Sequence, residues 1–124
     1  MLLRRTQPAD FWQSVTGSLR WGESPLQAAR RELYEETGVM AGNQLQDLRH
    51  SEVFPIVPPW RSRYAPNVYY NREHWFALPL PGRRIIRTNH QEHTEYQWLR
   101  AAQAAAMVTS WTNRKAIQSL LGRL

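Results

Sequence analysis

The chain has 124 residues, 42% of them hydrophobic and 21% charged, a length that suits one domain with a core of its own. It has no cysteine, which excludes a disulfide framework and a thiolate zinc site, and no apolar run approaches the roughly 18–20 residues of a membrane span. The formal charge of +6 favours anionic partners, a polyphosphate small molecule or a nucleic acid.

Met1-Leu2-Leu3 is too short for a signal peptide and Arg4-Arg5 follows it, so a cytoplasmic location is expected. Residues 1–5 read as a strand, and residues 6–16 as a loop leading into a short extended piece. Phe11-Trp12 stands there, either as core or as the border of a pocket. Residues 24–38 have the marks of one helix, described below. Residues 41–47 form a turn with Gly42-Asn43, and residues 48–57 alternate as a strand that Pro55, Pro58 and Pro59 end. Residues 60–67 are a basic, aromatic loop, and residues 68–80 are the longest strand, rich in sheet-forming Tyr69, Trp75 and Phe76. Pro81-Gly82 signals a turn. Residues 84–88 and 95–99 read as short strands around the loop 89–94. Residues 100–108 are alanine-rich and helical, residues 110–113 are a break rich in capping side chains, and a last helix carries Ala116, Ile117, Leu120 and Leu121. Without repeat or linker, residues 1–124 read as a single α/β (α+β) domain, a mixed β-sheet with helices on its faces.

The helix is the best-marked element. Ser24 suits the N-cap, Pro25 the first helical position, Gln27 completes a capping box, and Gly38 suits a left-handed C-terminal residue. Leu26, Leu33 and Thr37, with Ala29 at the edge, share a side that can face a core. Glu32, Glu35 and Glu36 share another, although like charges four apart repel and acidic groups sit badly near a helix C-terminus. A divalent cation taking oxygen ligands, Mg²⁺ or Mn²⁺, would compensate. A solvated acidic face paired with Arg30 and Arg31 would do so as well.

From Gly17 the chain reads G-x5-E-x7-R-E-U-x-E-E-x-G-U, U being bulky and aliphatic, through Glu23, Arg31-Glu32, Leu33, Glu35-Glu36, Gly38 and Val39. In this motif it resembles the Nudix hydrolases. The resemblance implies the Nudix fold and metal-dependent cleavage of a diphosphate linked to another moiety. It implies Glu32, Glu35 and Glu36 as metal carboxylates, with the Gly17 carbonyl often a further ligand. It implies that Arg31 orients a glutamate and that Glu23 and Gly38 are structural. Such a fold normally has one more strand ahead of residues 1–5, so these residues are expected beside an uncovered sheet edge.

Nudix enzymes often add one carboxylate from outside the box. Glu92, in the loop before the strand at 95–99, stands in the expected place as metal ligand or base, with Glu95 the competitor and Glu32 the other candidate base. His50, His74, His90 and His93 show no metal-ligand spacing and are expected in structural or solvent-facing roles. Residues 11–17, Arg63-Tyr64-Ala65-Pro66 with Trp75-Phe76, and residues 110–117 narrow the resemblance, which then implies a small-molecule triphosphate carrying a flat ring as partner, a pterin first and dATP or an oxidised dNTP as the alternative. Arg5, Arg61 and Arg63 are available for its phosphates, and Trp12, Tyr64, Trp111 and Asn113 for the ring. Each of those four fits a core or capping role better than a ring contact. A basic nucleic-acid-binding module is the rival from another class, disfavoured because no RNA- or DNA-binding pattern accompanies the scattered arginines. A monomer or weak homodimer is expected.

Overall fold

In the computed structural model, which describes residues 1–56 and 61–121, β1 (Leu2–Arg5) is the inner strand of a three-stranded sheet. β2 (Trp12–Gln13) pairs with it on one side and β5 (His93–Gln97) on the other, both antiparallel. Residues 1–5 therefore do not lie beside an uncovered edge, because strands from two distant parts of the chain pair with both sides of β1. Leu2 and Leu3 are both fully buried. Leu2 packs with Ala104 and Val108, and Trp12, Leu99, Met107 and Ile117 close around them.

β3 (Gln46–Pro55) and β4 (Tyr70–Ala77) make a second antiparallel sheet, with a register shift between Asp47 and Ser51 where Arg49 takes a positive φ of 53°. A short 3₁₀ turn, Arg61–Arg63, precedes β4. Among the described residues the ladders thus form two small antiparallel sheets where one mixed sheet was expected. The stretch 84–88 joins neither. Among the described residues its one backbone–backbone bond runs from Arg87 N to Thr37 O (3.1 Å), while the Arg84 carbonyl accepts from the Trp98 indole N–H (2.9 Å). Ile86 is buried but Ile85 is 94% exposed, so the apolar pair anchors the stretch at one residue only. Residues 57–60, the expected end of the third strand and the start of the basic loop, lie outside the described residues. So does the side chain of Arg61.

α1 (Pro25–Thr37) has the expected ends. Ser24 Oγ accepts from Gln27 N, the Gln27 side chain accepts from Ser24 N, and Gly38 closes the helix at φ 76° with its N–H on Tyr34 O. A left-handed residue here favours glycine, which has no Cβ to clash. The buried face differs from the expected one. Ala28, Glu36 and Thr37 are buried, while Leu26, Ala29 and Leu33 are half-buried. Glu32 and Glu36, at four-residue spacing, are turned toward the loop that precedes the helix, against Gly17 and Thr16. α2 (Ala101–Met107) and α3 (Trp111–Leu121) pack against each other, and Arg114 donates to the Ala105 and Val108 carbonyls at the end of α2. α3 begins at Trp111, so the expected break belongs to its first turn; Arg114 N already bonds the Ser110 carbonyl at 3.1 Å. No helix among the described residues is long and apolar enough to cross a membrane.

Candidate active site

Arg31 is the hub of the loop and helix. Its Nε and Nη2 donate to the two oxygens of Glu23 (2.8 Å each), Nη2 also reaches Ser18 O (2.8 Å), and Nη1 donates to Glu32 Oε1 (2.7 Å) and Glu35 Oε2 (3.2 Å). The fork geometry of guanidinium permits this and an ammonium would not. Glu23 accepts in addition from Arg20 N (2.9 Å), and these bonds hold its carboxyl down at about 2. Glu23 in turn raises Arg31 further. Gly17 lies directly against Glu32, and a Cβ there would overlap the Glu32 carboxyl. Burial raises the Glu32 pKa, with Glu35 and Glu92 adding to the effect and Arg31 opposing it.

Glu36 has a different environment. It is 3% exposed and makes no bond to Arg31; its Oε2 accepts from Thr16 N (3.1 Å). Burial pushes its carboxyl up to about 8, the negative charges of Glu32 and Glu92 add to this, and the Thr16 N–H and Arg5 partly offset it. Glu36, Glu92 and His93 can each bring one ligand atom within 4.8 Å of the others. Glu92 is exposed and makes no ion pair among the described residues. Its carbonyl anchors Thr6 N (2.9 Å). Arg5 is half-buried beside this group; burial and the nearby Arg63 lower its pKa, while Glu92 and Glu36 raise it.

Glu32 and Glu35 stay on Arg31, with Glu35 also reaching Arg20 at 3.3 Å, so the repulsion within the acidic cluster is partly met by arginine. Among the expected ring contacts, Trp12 packs in the core with the Arg4 guanidinium over its ring (6.0 Å). The Tyr64 hydroxyl accepts from Asn71 Nδ2 (2.8 Å), and Trp111 is half-exposed at the start of α3. Asn113 has both amide ends on Ser14: Oδ1 accepts from Ser14 N (2.8 Å) and Nδ2 donates to Ser14 Oγ (2.9 Å).

Two site residues had no signal in spacing. His93 is fully buried, its Nε2 3.0 Å from Gln13 Nε2 and 3.8 Å from Glu36 Oε1, and its Nδ1 has no partner among the described residues. Burial lowers its pKa, Arg5 adds to this and Glu92 opposes it. Gln13 is 5% exposed. Only the adjacency of His93 to Glu92 could have drawn attention to it.

A buried carboxyl whose surroundings disfavour its charged form, grouped with a second carboxylate and a buried imidazole, fits a divalent cation. The cation would offset the desolvation and the repulsion, and oxygen donors dominate the set. The NUDIX domain family matches residues 1–120. The chain belongs to the Nudix family, whose hydrolases depend on divalent metal and act on small-molecule phosphates, and it is an enzyme of that class. It is 47% identical to the dihydroneopterin triphosphate diphosphatase of Escherichia coli (strain K12), over 98% of this chain and 81% of the relative. It is 36% identical to the protein of that name from Haemophilus influenzae, over 100% of this chain and 79% of the relative. The solved structure of the E. coli dihydroneopterin triphosphate pyrophosphohydrolase matches with a TM-score of 0.91 at 43% identity, covering 99% of this chain and 85% of that one.

Proposed function

We propose that this chain, as one Nudix domain, hydrolyses dihydroneopterin triphosphate to dihydroneopterin monophosphate and pyrophosphate, with Mg²⁺ as its metal and Mn²⁺ as a substitute. The observation that carries the substrate is the 47% identity over 98% of the chain to the E. coli enzyme. The site supports the chemistry independently. Glu36 and Glu92 would hold the cation, joined by Glu32, Glu35 and the Gly17 carbonyl. When bound, the cation lowers the pKa of the attacking water and neutralises phosphate charge. Arg63 is near enough to Arg5 to depress it electrostatically, and the two would grip phosphate oxygens beside the carboxylates. Glu92, exposed and free of an ion pair among the described residues, takes the proton from water; Glu32, held by Arg31, is the alternative base. Arg31 keeps Glu23, Glu32 and Glu35 in register throughout.

A panel of dihydroneopterin triphosphate, dATP, the other dNTPs and oxidised dNTPs, each with Mg²⁺ or EDTA, tests this. The pterin substrate should lead in kcat/KM by about 10-fold or more, the scale that pocket contacts alone can give. All turnover should stop in EDTA. A dNTP turned over equally well would replace the substrate, and turnover in EDTA would remove the metal.

A further inference from the structure

The corner between α2 and α3 grips the strand that leads into the Nudix box. Thr109 N donates to Trp12 O (3.1 Å) and Thr109 Oγ1 accepts from Trp12 N (3.1 Å). Asn113 then takes Ser14 through both ends of its amide, at 2.8 and 2.9 Å. The opposite side of the strand pairs with β1 through Leu3 and Arg4. The corner itself is stiffened by Arg114, whose guanidinium caps the α2 carbonyls of Ala105 and Val108. The chain held in this way carries Gln13 onto His93, Thr16 N onto Glu36 Oε2, and Gly17 against the Glu32 carboxyl. Three contacts to the acidic site thus hang from the five backbone residues 13–17, and Asn113 fixes the second of them, Ser14.

We propose that Asn113 is a positioning residue for the metal carboxylates: by clamping Ser14 it sets the backbone that aims the Thr16 N–H at Glu36 and seats Gly17 on Glu32. This rests on the reading of Glu36 as a metal carboxylate. It replaces the expected ring contact of Asn113 with an action through Ser14 and Thr16. Groups that orient metal ligands typically matter by about 10- to 100-fold in metal affinity or activity.

The test is Mn²⁺ titration of EDTA-stripped protein, followed by electron paramagnetic resonance, with kcat and KM at saturating Mn²⁺. Asn113→Ala should raise the Mn²⁺ Kd about 10-fold and lower kcat comparably, with KM for the triphosphate within about 2-fold. Asn113→Asp should restore both to within about 3-fold, since its carboxylate can accept from Ser14 N–H and Oγ–H alike and sits well in a first helical turn. Ser14→Ala removes only the hydroxyl half of the clamp and should fall between. Ile117→Val, which loosens the same helix where it packs on the core, should lower the melting temperature and leave the Mn²⁺ Kd unchanged. A parental Kd with a raised KM in Asn113→Ala would make it a substrate contact and overturn the proposal. So would equal losses of affinity in Asn113→Ala and Ile117→Val. Glu36→Gln in the same titration separates the two levels. If it keeps parental affinity, the metal reading fails and this inference with it; if it loses affinity while Asn113→Ala does not, only this inference fails.

Discussion

Glu36 and Glu23 respond to pH in opposite senses. With its carboxyl held at about 8 by burial and by Glu32 and Glu92, Glu36 is largely protonated at neutral pH in the metal-free protein. An unfolded chain ionises it near the ordinary value of about 4.3. Its folded pKa is therefore raised, so stability is full below the unfolded value and is lost as pH rises through about 8. The total is on the order of a few kcal/mol. Thermal melts in EDTA should fall across that window, Glu36→Gln should flatten the fall, and added Mg²⁺ should oppose it because metal binds the ionised form. A Glu36→Gln protein that kept the slope would place the titration elsewhere. Glu23, held down at about 2, works the other way: its contribution is present above its unfolded pKa and is lost as pH falls through about 2. Glu23→Gln should remove that acid limb from the same melts. Glu35 is half-exposed and shared between Arg20 and Arg31. Glu35→Gln should change stability by less than about 1 kcal/mol, yet it should abolish most turnover in Mg²⁺ if Glu35 joins the metal. The spacing of these carboxylates was legible in the sequence because helical periodicity puts them together. That Glu36 is buried, that His93 stands beside it and that Gln13 meets His93 was not legible, because those contacts join residues 57 and 80 positions apart through tertiary packing.

α1 could be read to the residue because its signals are local: a capping box, a proline at the start, and a glycine that supplies the positive φ. Its apolar face could not, since Ala28, small enough for close approach, is buried where the larger Leu26 and Leu33 are not. The stretch 84–88 has strand composition but makes a single backbone–backbone bond among the described residues, and strand identity depends on partners that composition does not reveal. The loop from Gly17 to the helix is built around Arg31, and two substitutions test it. Arg31→Lys keeps the charge but cannot serve Glu23, Glu32, Glu35 and Ser18 O together. It should lower the melting temperature and cut kcat about 10- to 100-fold. Gly17→Ala puts a Cβ into the Glu32 carboxyl, which is the flexible end of a side chain. Melting temperature should change little while Mn²⁺ affinity and turnover fall, as Glu32 swings away from Arg31. Unchanged Mn²⁺ affinity in Gly17→Ala would mean that Glu32 and the Gly17 backbone lie outside the metal site.

At the scale of the whole molecule, the charge of +6 suits a polyanionic substrate, and Arg5 with Arg63 concentrates part of it beside the carboxylates. The sequence motif was enough to place the chain in its family. The inner position of β1 was beyond local reading, since its partners come from residues 12–13 and 93–97 and pairing over such separations leaves no mark in composition. The chemistry has a geometric consequence. If Arg5 and Arg63 anchor the triphosphate and the carboxylates stand on a rigid helix, reach selects which phosphorus meets the activated water. A misplacement of about 1 Å can cost on the order of 100-fold, so attack should fall at one atom only. Turnover of dihydroneopterin triphosphate in ¹⁸O-labelled water with Mg²⁺, followed by mass analysis of both products, measures this directly. Cleavage between the α and β phosphorus atoms should give pyrophosphate and the monophosphate, with label confined to one of the two products. Orthophosphate as the first product, or label divided between both products, would contradict it.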